Sequence, residues 1–194
     1  MNTTGLFRKT LIMLAFMLSM VFGIAFFLPS TFHVERTLII ETAPDKPFSW
    51  INDLEKWPKW DPWTRADPNI EHIVEGTPGE AQVQKWKGPR SSDGKLVIVE
   101  SKVNQLVAID MYTPDTPEPR RLTFTFQDLG GRTKLTWAID GANTIQPIGN
   151  WFGLGMDKYL GPMYEQGLSN LKALAETGAL PPELKPLGDK NQPK

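Results

Sequence analysis

Hydrophobic and polar positions change period along the chain, and each change marks a different element. Residues 11–28 are an uncharged apolar run of 18, with Arg8 and Lys9 just before it. At 1.5 Å per residue such a helix is roughly 27 Å long, close to the hydrocarbon thickness of a bilayer. The basic pair on the short side predicts an N-terminus inside and the body of the protein outside the cytoplasm. A cleaved signal peptide is the competing reading, with Gly23-Ile24-Ala25 as a weak small-x-small site. The run continues through Phe26, Phe27 and Leu28, so an uncleaved anchor is preferred. Pro29-Ser30-Thr31 then forms a very short linker.

Beyond the linker the period becomes two. In residues 32–41, Val34, Arg36, Leu38 and Ile40 share one face and His33, Glu35, Thr37 and Ile39 the other, which predicts a first strand. A short helix carrying Phe48, Trp50, Ile51 and Leu54 is expected to start at Pro44 or Pro47. Trp57-Pro58-Lys59-Trp60-Asp61-Pro62-Trp63 has two prolines and reads as a stiff aromatic turn region. Further strands are predicted at 70–74, 81–86, 96–100, 105–112, 122–126 and 135–139, with Gly130-Gly131 as a hairpin turn between the last two. Residues 141–155 read as a loop containing Trp151 and Phe152.

The final period is helical. Met156, Leu160, Met163, Gly167, Leu171 and Leu174 fall on one stripe of a helix over 156–176, and Gly178 can end it in the left-handed conformation. Gly161-Pro162 interrupts it and predicts a kink, or a break at which Pro162 restarts the helix. Residues 179–194 contain four prolines and read as a disordered tail. Consecutive strands joined by short turns imply an antiparallel sheet, which could curl around the one long helix.

Composition narrows the function classes. Basic and acidic residues number 21 and 22, so nothing draws the chain to nucleic acid. With no cysteine, disulfides, thiol catalysis and cysteine metal sites are excluded. Four of the seven tryptophans, Trp50, Trp57, Trp60 and Trp63, crowd into one short segment.

In order, these pieces resemble the START-like, or SRPBCC, superfamily, and within it the bacterial polyketide cyclase/dehydrase-like branch. The resemblance is carried by residues 34–40 running into Ala43-Pro44 and Trp50, then by the 57–63 segment. It continues with Gly79 ahead of Trp86, the 94–100 strand, Phe124-Thr125-Phe126, Gly131-Arg132-Thr133-Lys134-Leu135-Thr136-Trp137 and Gly167-Leu168-Ser169-Asn170-Leu171-Lys172. It covers roughly residues 32–178, one typical domain, and leaves the anchor and the tail outside. The resemblance implies an α+β helix-grip fold: a seven-stranded antiparallel sheet wrapped on the C-terminal helix, with an apolar cavity between them. Members bind lipids, sterols, polyketides and other hydrophobic molecules, and a minority are enzymes with no universal catalytic motif.

Candidate cavity residues follow. Trp57, Trp60 and Trp63 plug the core or wall the cavity, with core packing preferred. Trp86, Phe124, Phe126 and Trp137 from the sheet, with Met156, Leu160 and Met163 opposite, complete the set. Arg36 shares the face of Val34 and Leu38, so it must meet a carboxylate, an anionic ligand head or solvent. Catalytic residues are not identified. On a strand, His72 and Glu75 of Glu71-His72-x-x-Glu75 point to opposite faces, and no metal site is expected. Gly153-x-Gly155 lacks the third glycine of a dinucleotide loop, there is no G-x-S-x-G, and no cofactor is expected. The leading reading is a single-pass protein of the cytoplasmic membrane whose extracytoplasmic domain, periplasmic in orientation, binds a hydrophobic small molecule or lipid. A cyclase- or hydrolase-like enzyme using the same cavity is the alternative, and an interaction module at the membrane, its protein partner unknown, is the third.

Overall fold

In a computed structural model, which describes residues 3–67, 69–89 and 92–180, the alternating segments form one seven-stranded sheet. The strands are β1 (Thr31–Ile40), β2 (Glu71–Glu75), β3 (Val83–Lys87), β4 (Gly94–Lys102), β5 (Leu106–Tyr112), β6 (Arg120–Asp128) and β7 (Thr133–Ala142). Every neighbouring pair is antiparallel, in the order β1-β7-β6-β5-β4-β3-β2. All strands except the first follow by hairpins. β1 closes onto the last one, over an unbroken register from Thr31 opposite Ala142 to Ile40 opposite Thr133. The β6–β7 turn is built on Gly130 and Gly131, both at positive φ, whose amides donate to the Asp128 carboxylate.

The register aligns one end of every strand. Thr31 faces Ala142, Asp140 faces Arg121, Arg120 faces Met111, Tyr112 faces Lys95, Gly94 faces Trp86, and Lys87 faces Glu71. This is the end at which the chain enters from α1 (Thr3–Ala25), and it is called the entry end below.

Helix α5 (Met156–Thr177) lies across the sheet, starting at the entry end. Its last turn is tied to the other end, where Lys172 donates to the Ile39 carbonyl and Glu176 accepts the Glu41 amide. It stops at Gly178, which is left-handed. The helix runs unbroken through Pro162 rather than restarting there. Arg36 accounts for this. Its guanidinium bonds Asp157 and Glu165, one turn before and one turn after the proline, at 2.7 Å each. Gly161 leaves the room: a Cβ there would stand 2.0 Å from Arg36 Nη2. Between β1 and β2 come α2 (Asp45–Ile51), a 3-10 turn (Leu54–Lys59) and α3 (Pro62–Ala66), which close over the middle of α5 and the sheet.

Helix α1 starts eight residues before the apolar run and ends three residues short of it: it spans Thr3 to Ala25, while Phe26 and Phe27 form a turn. Its segment Phe7–Ala25 is long and apolar enough to cross a membrane, and nearly all of it is exposed, with only Ala25 at its end buried against the domain. The helix ends where the domain captures it. Asn150 Nδ2 donates to the carbonyls of Ala25 and Leu28, Asn143 Nδ2 donates to Pro29, and the Asn143 amide donates to Ser30. The predicted 141–155 loop therefore contains a docked turn of helix, α4 (Gly149–Gly153). The predicted tail beyond residue 180 lies outside the described residues.

Candidate functional site

At the entry end, sheet and helix part to leave a cavity of about 480 Å³. Leu96, Met111, Leu122 and Ile139 of the sheet form one wall, each two or three residues from its strand's entry end or closer. Met156, Leu160 and Tyr164 of α5 face them. Trp57, Trp63 and Trp86 close the sides. Behind Tyr164 the interior is solid. The Tyr164 ring stacks on Trp137 at 3.9 Å between centroids, Trp137 stacks on Phe124 at 5.0 Å, and Trp60 meets both edge-on.

Polar groups converge on this apolar space from two sides. On one side, Asp61 caps α3: its carboxylate accepts the Thr64 amide at 2.8 Å and the Thr64 hydroxyl at 2.6 Å. Thr64 Oγ1 lies 3.0 Å from His72 Nε2. On the other side, Arg120 donates to Thr113 at 3.0 Å and to Asp115 at 2.9 Å. His72 Nδ1 and Arg120 Nε are buried and have no hydrogen-bond partner in the protein. Burial pushes the Asp61 carboxyl up, against the hydrogen bonds from Thr64 and the charge of His72. Burial pulls His72 down, countered in part by Asp61. Burial acts to raise Asp115, but the Thr113 and Arg120 contacts outweigh it and hold the group below its ordinary value. The Tyr164 phenol, buried and only weakly opposed by Arg120, is pushed far above its ordinary range and stays a neutral donor. The site thus holds an acid–hydroxyl–imidazole chain with a buried acid, and a cation among the same lining residues, the ingredients for binding a polar head or for moving a proton.

Residues 31–176 match the model of the family described as polyketide cyclase / dehydrase and lipid transport. The chain belongs to this family. No curated protein sequence matches it. Among solved structures, the di-domain ARO/CYC StfQ from the steffimycin biosynthetic pathway aligns with a TM-score of 0.58 at 16% identity, covering 75% of this chain and 51% of that one. Truncated norcoclaurine synthase from Thalictrum flavum aligns at 0.54 with 10% identity, covering 74% and 92%. A Chromobacterium violaceum protein aligns at 0.52 with 18% identity, covering 77% and 99%. At such identities these likenesses establish the helix-grip fold and nothing about ligands.

Within this polyketide cyclase/dehydrase fold, the predicted cavity residues divide. Trp57, Trp63, Trp86, Met156 and Leu160 line the cavity. Trp60, Phe124, Phe126 and Trp137 do not; they are buried in the solid core, the last three because their strand positions lie further from the entry end than the cavity reaches, and Trp60 because it packs edge-on against Phe124 and Trp137. Met163 packs against that core from α5. Arg36 is committed to its two carboxylates and faces no cavity. His72 and Glu75 point to opposite faces of β2, as strand geometry requires, and His72 takes the inner one. Sequence reasoning missed Asp61, Thr64, Arg120 and Tyr164, and weighed His72 only as a metal ligand. An Asp before Pro at a helix start signals a cap, so Asp61 was findable. Its pairing with an imidazole eleven positions on, across a turn and a strand, was not.

Proposed function

We propose that this chain is a membrane-tethered domain that holds a hydrophobic small molecule or lipid, bearing a polar or anionic head, in the entry-end cavity. The observation that carries the reading is the cavity itself: about 480 Å³ with a mostly apolar lining, and with Arg120 and His72 among the few polar residues at its wall. A space of a few hundred cubic ångström with few convergent polar groups is what small-molecule sites look like. Arg120 supplies a cation for the ligand's polar or anionic head. Helix α1 supports the tether and the basic Arg8-Lys9 pair supports an N-terminus inside. The test is native mass spectrometry of the full chain released from detergent. A bound mass lost on denaturation is expected. A chain that stays free of any small molecule after gentle extraction from its own membrane would count against the reading.

A second reading is favoured by one observation. The Asp61–Thr64–His72 chain lines the cavity with its acid raised and its imidazole lowered by burial, which brings their proton affinities closer and eases proton exchange along the chain. If the domain converts its ligand, Asp61→Asn should retain a molecule of different mass from the one the natural protein retains. Identical retained molecules would remove the enzyme reading and leave the binding one.

A further inference from the structure

One surface lies outside the core and, but for Tyr159 at its edge, outside the cavity. Ile145, Ile148, Trp151, Phe152, Leu154 and Tyr159 are all exposed, Phe152 by 73% and Tyr159 by 68%. The first five sit on the segment that joins β7 to α5 and includes α4, and Tyr159 is in the first turn of α5. Scattered apolar exposure is ordinary, but six large side chains within fifteen positions form a patch that needs a partner.

The partner's chemistry is given by what the segment is fastened to. Trp151 Nε1 donates to the carbonyl of Val21, and Asn150 donates to that of Ala25, so α4 is bonded to the last turn of α1. Between them runs an apolar groove of about 450 Å³ lined by Leu18, Val21, Phe22, Ile148 and Trp151. Phe7–Ala25 is 19 residues, about 28 Å as a helix, which matches a hydrocarbon core of about 30 Å. When that helix spans, its last turn lies at the boundary between acyl chains and headgroups. A tryptophan bonded one turn inside that end lies there too, where Trp and Tyr are favoured. The patch is therefore continuous with the spanning surface.

The segment is built to hold this position. A Cβ on Gly149 would stand 1.5 Å from the Thr144 carbonyl oxygen, and one on Gly153 would stand 2.4 Å from Asn143 Oδ1. Asn143, which Gly153 packs against, also bonds Pro29 and Asn150. Backbone, clamp and helix end thus form one rigid corner. Tyr159, in the first turn of α5, is also part of the cavity wall, as is Met156.

We propose that residues 145–159 are a second membrane contact, a wedge seated in the lipid interface beside α1, which turns the entry end of the sheet toward the bilayer so that the cavity fills from the lipid phase. The filling step rests on the reading of the cavity as a ligand site; the docking does not.

The chain has no cysteine, so single introduced cysteines label uniquely. Full-length Phe152→Cys, Leu18→Cys and Val103→Cys would each carry an environment-sensitive fluorophore and be reconstituted in phosphatidylcholine vesicles with and without nitroxide-bearing acyl chains. All three positions are exposed, and Val103 is an apolar residue at the opposite end of the sheet. The expected result is a loss of emission at Phe152 matching that at Leu18, with Val103 unaffected. Quenching at Leu18 alone would overturn the wedge while keeping the anchor. No quenching at Leu18 or Phe152 would overturn both. Native mass spectrometry on the same preparations separates the two ideas: a quenched wedge with an empty cavity sinks the ligand reading only, and an unquenched wedge with a bound ligand sinks the docking only.

Discussion

Asp61 is 5% exposed and accepts the Thr64 amide and hydroxyl at the head of α3. Burial raises its folded pKa above the reference value of 3.8, so between 3.8 and the folded pKa the native state keeps a proton that the unfolded state has lost. Stability from this group is greatest in acid and falls as pH rises through that window. His72 acts in the opposite sense, because its folded pKa lies below 6.5 and stability falls as pH drops beneath that value. Asp61→Asn should therefore match the natural protein in acid and exceed it in Tm towards neutral pH, by about 2–4 °C for each kcal/mol relieved. A variant that melts lower at neutral pH would show that the carboxylate's hydrogen bonds outweigh its burial. Arg120 carries a different expectation. A charge-assisted hydrogen bond is worth about 1.5–3 kcal/mol, so Arg120→Met should weaken binding of the retained molecule by roughly one to two powers of ten. Titration of that molecule against both proteins measures it, and equal affinities would exclude Arg120 as the head-group partner.

Among the elements, β3 and β4 show how the cavity rim is set by a missing side chain. Trp86 lies flat across Gly94, held there by its indole N–H donating to the Ser92 carbonyl. A Cβ on Gly94 would stand 2.3 Å from the Trp86 ring and 2.6 Å from the Tyr112 carbonyl, and the backbone oxygen cannot yield. Gly94→Ala should cost about 1–3 kcal/mol, as overpacking does, and should push Trp86 off the rim. Urea unfolding measures the first, and a reduced retention of ligand reports the second. The same pair explains what could be read in advance. Alternation located the strands, since a half-buried sheet writes period two into the chain, and the stripe of α5 was legible for the same reason. The position of the cavity along the sheet was not legible. Phe124 and Leu122 carry the same signal of an inward apolar residue, yet one is solid core and the other cavity wall. Only the register, with the stacked Trp137 and Tyr164, decides between them. Arg36 was recognised as an inward charge, but its partners come from α5, more than a hundred positions away.

For the molecule taken whole, the first expectation concerns where it resides. The full chain should stay with the membrane pellet in alkaline carbonate, and deletion of residues 1–28 should free it. Release of the full chain by carbonate would contradict the tether. The second concerns how the domain is carried. Asn143 and Asn150 take the carbonyls of Ala25, Leu28, Pro29 and Ser30 between them, so the connection from helix to sheet has no slack. Spin labels at Leu18 and Val103 should give a narrow distance distribution, and Asn150→Ala should broaden it; a broad distribution in the natural protein would contradict the clamp. A mast so fixed cannot swing. In the proposed orientation its cargo leaves at the height at which it entered, so whatever receives it must come down to the membrane surface to collect it.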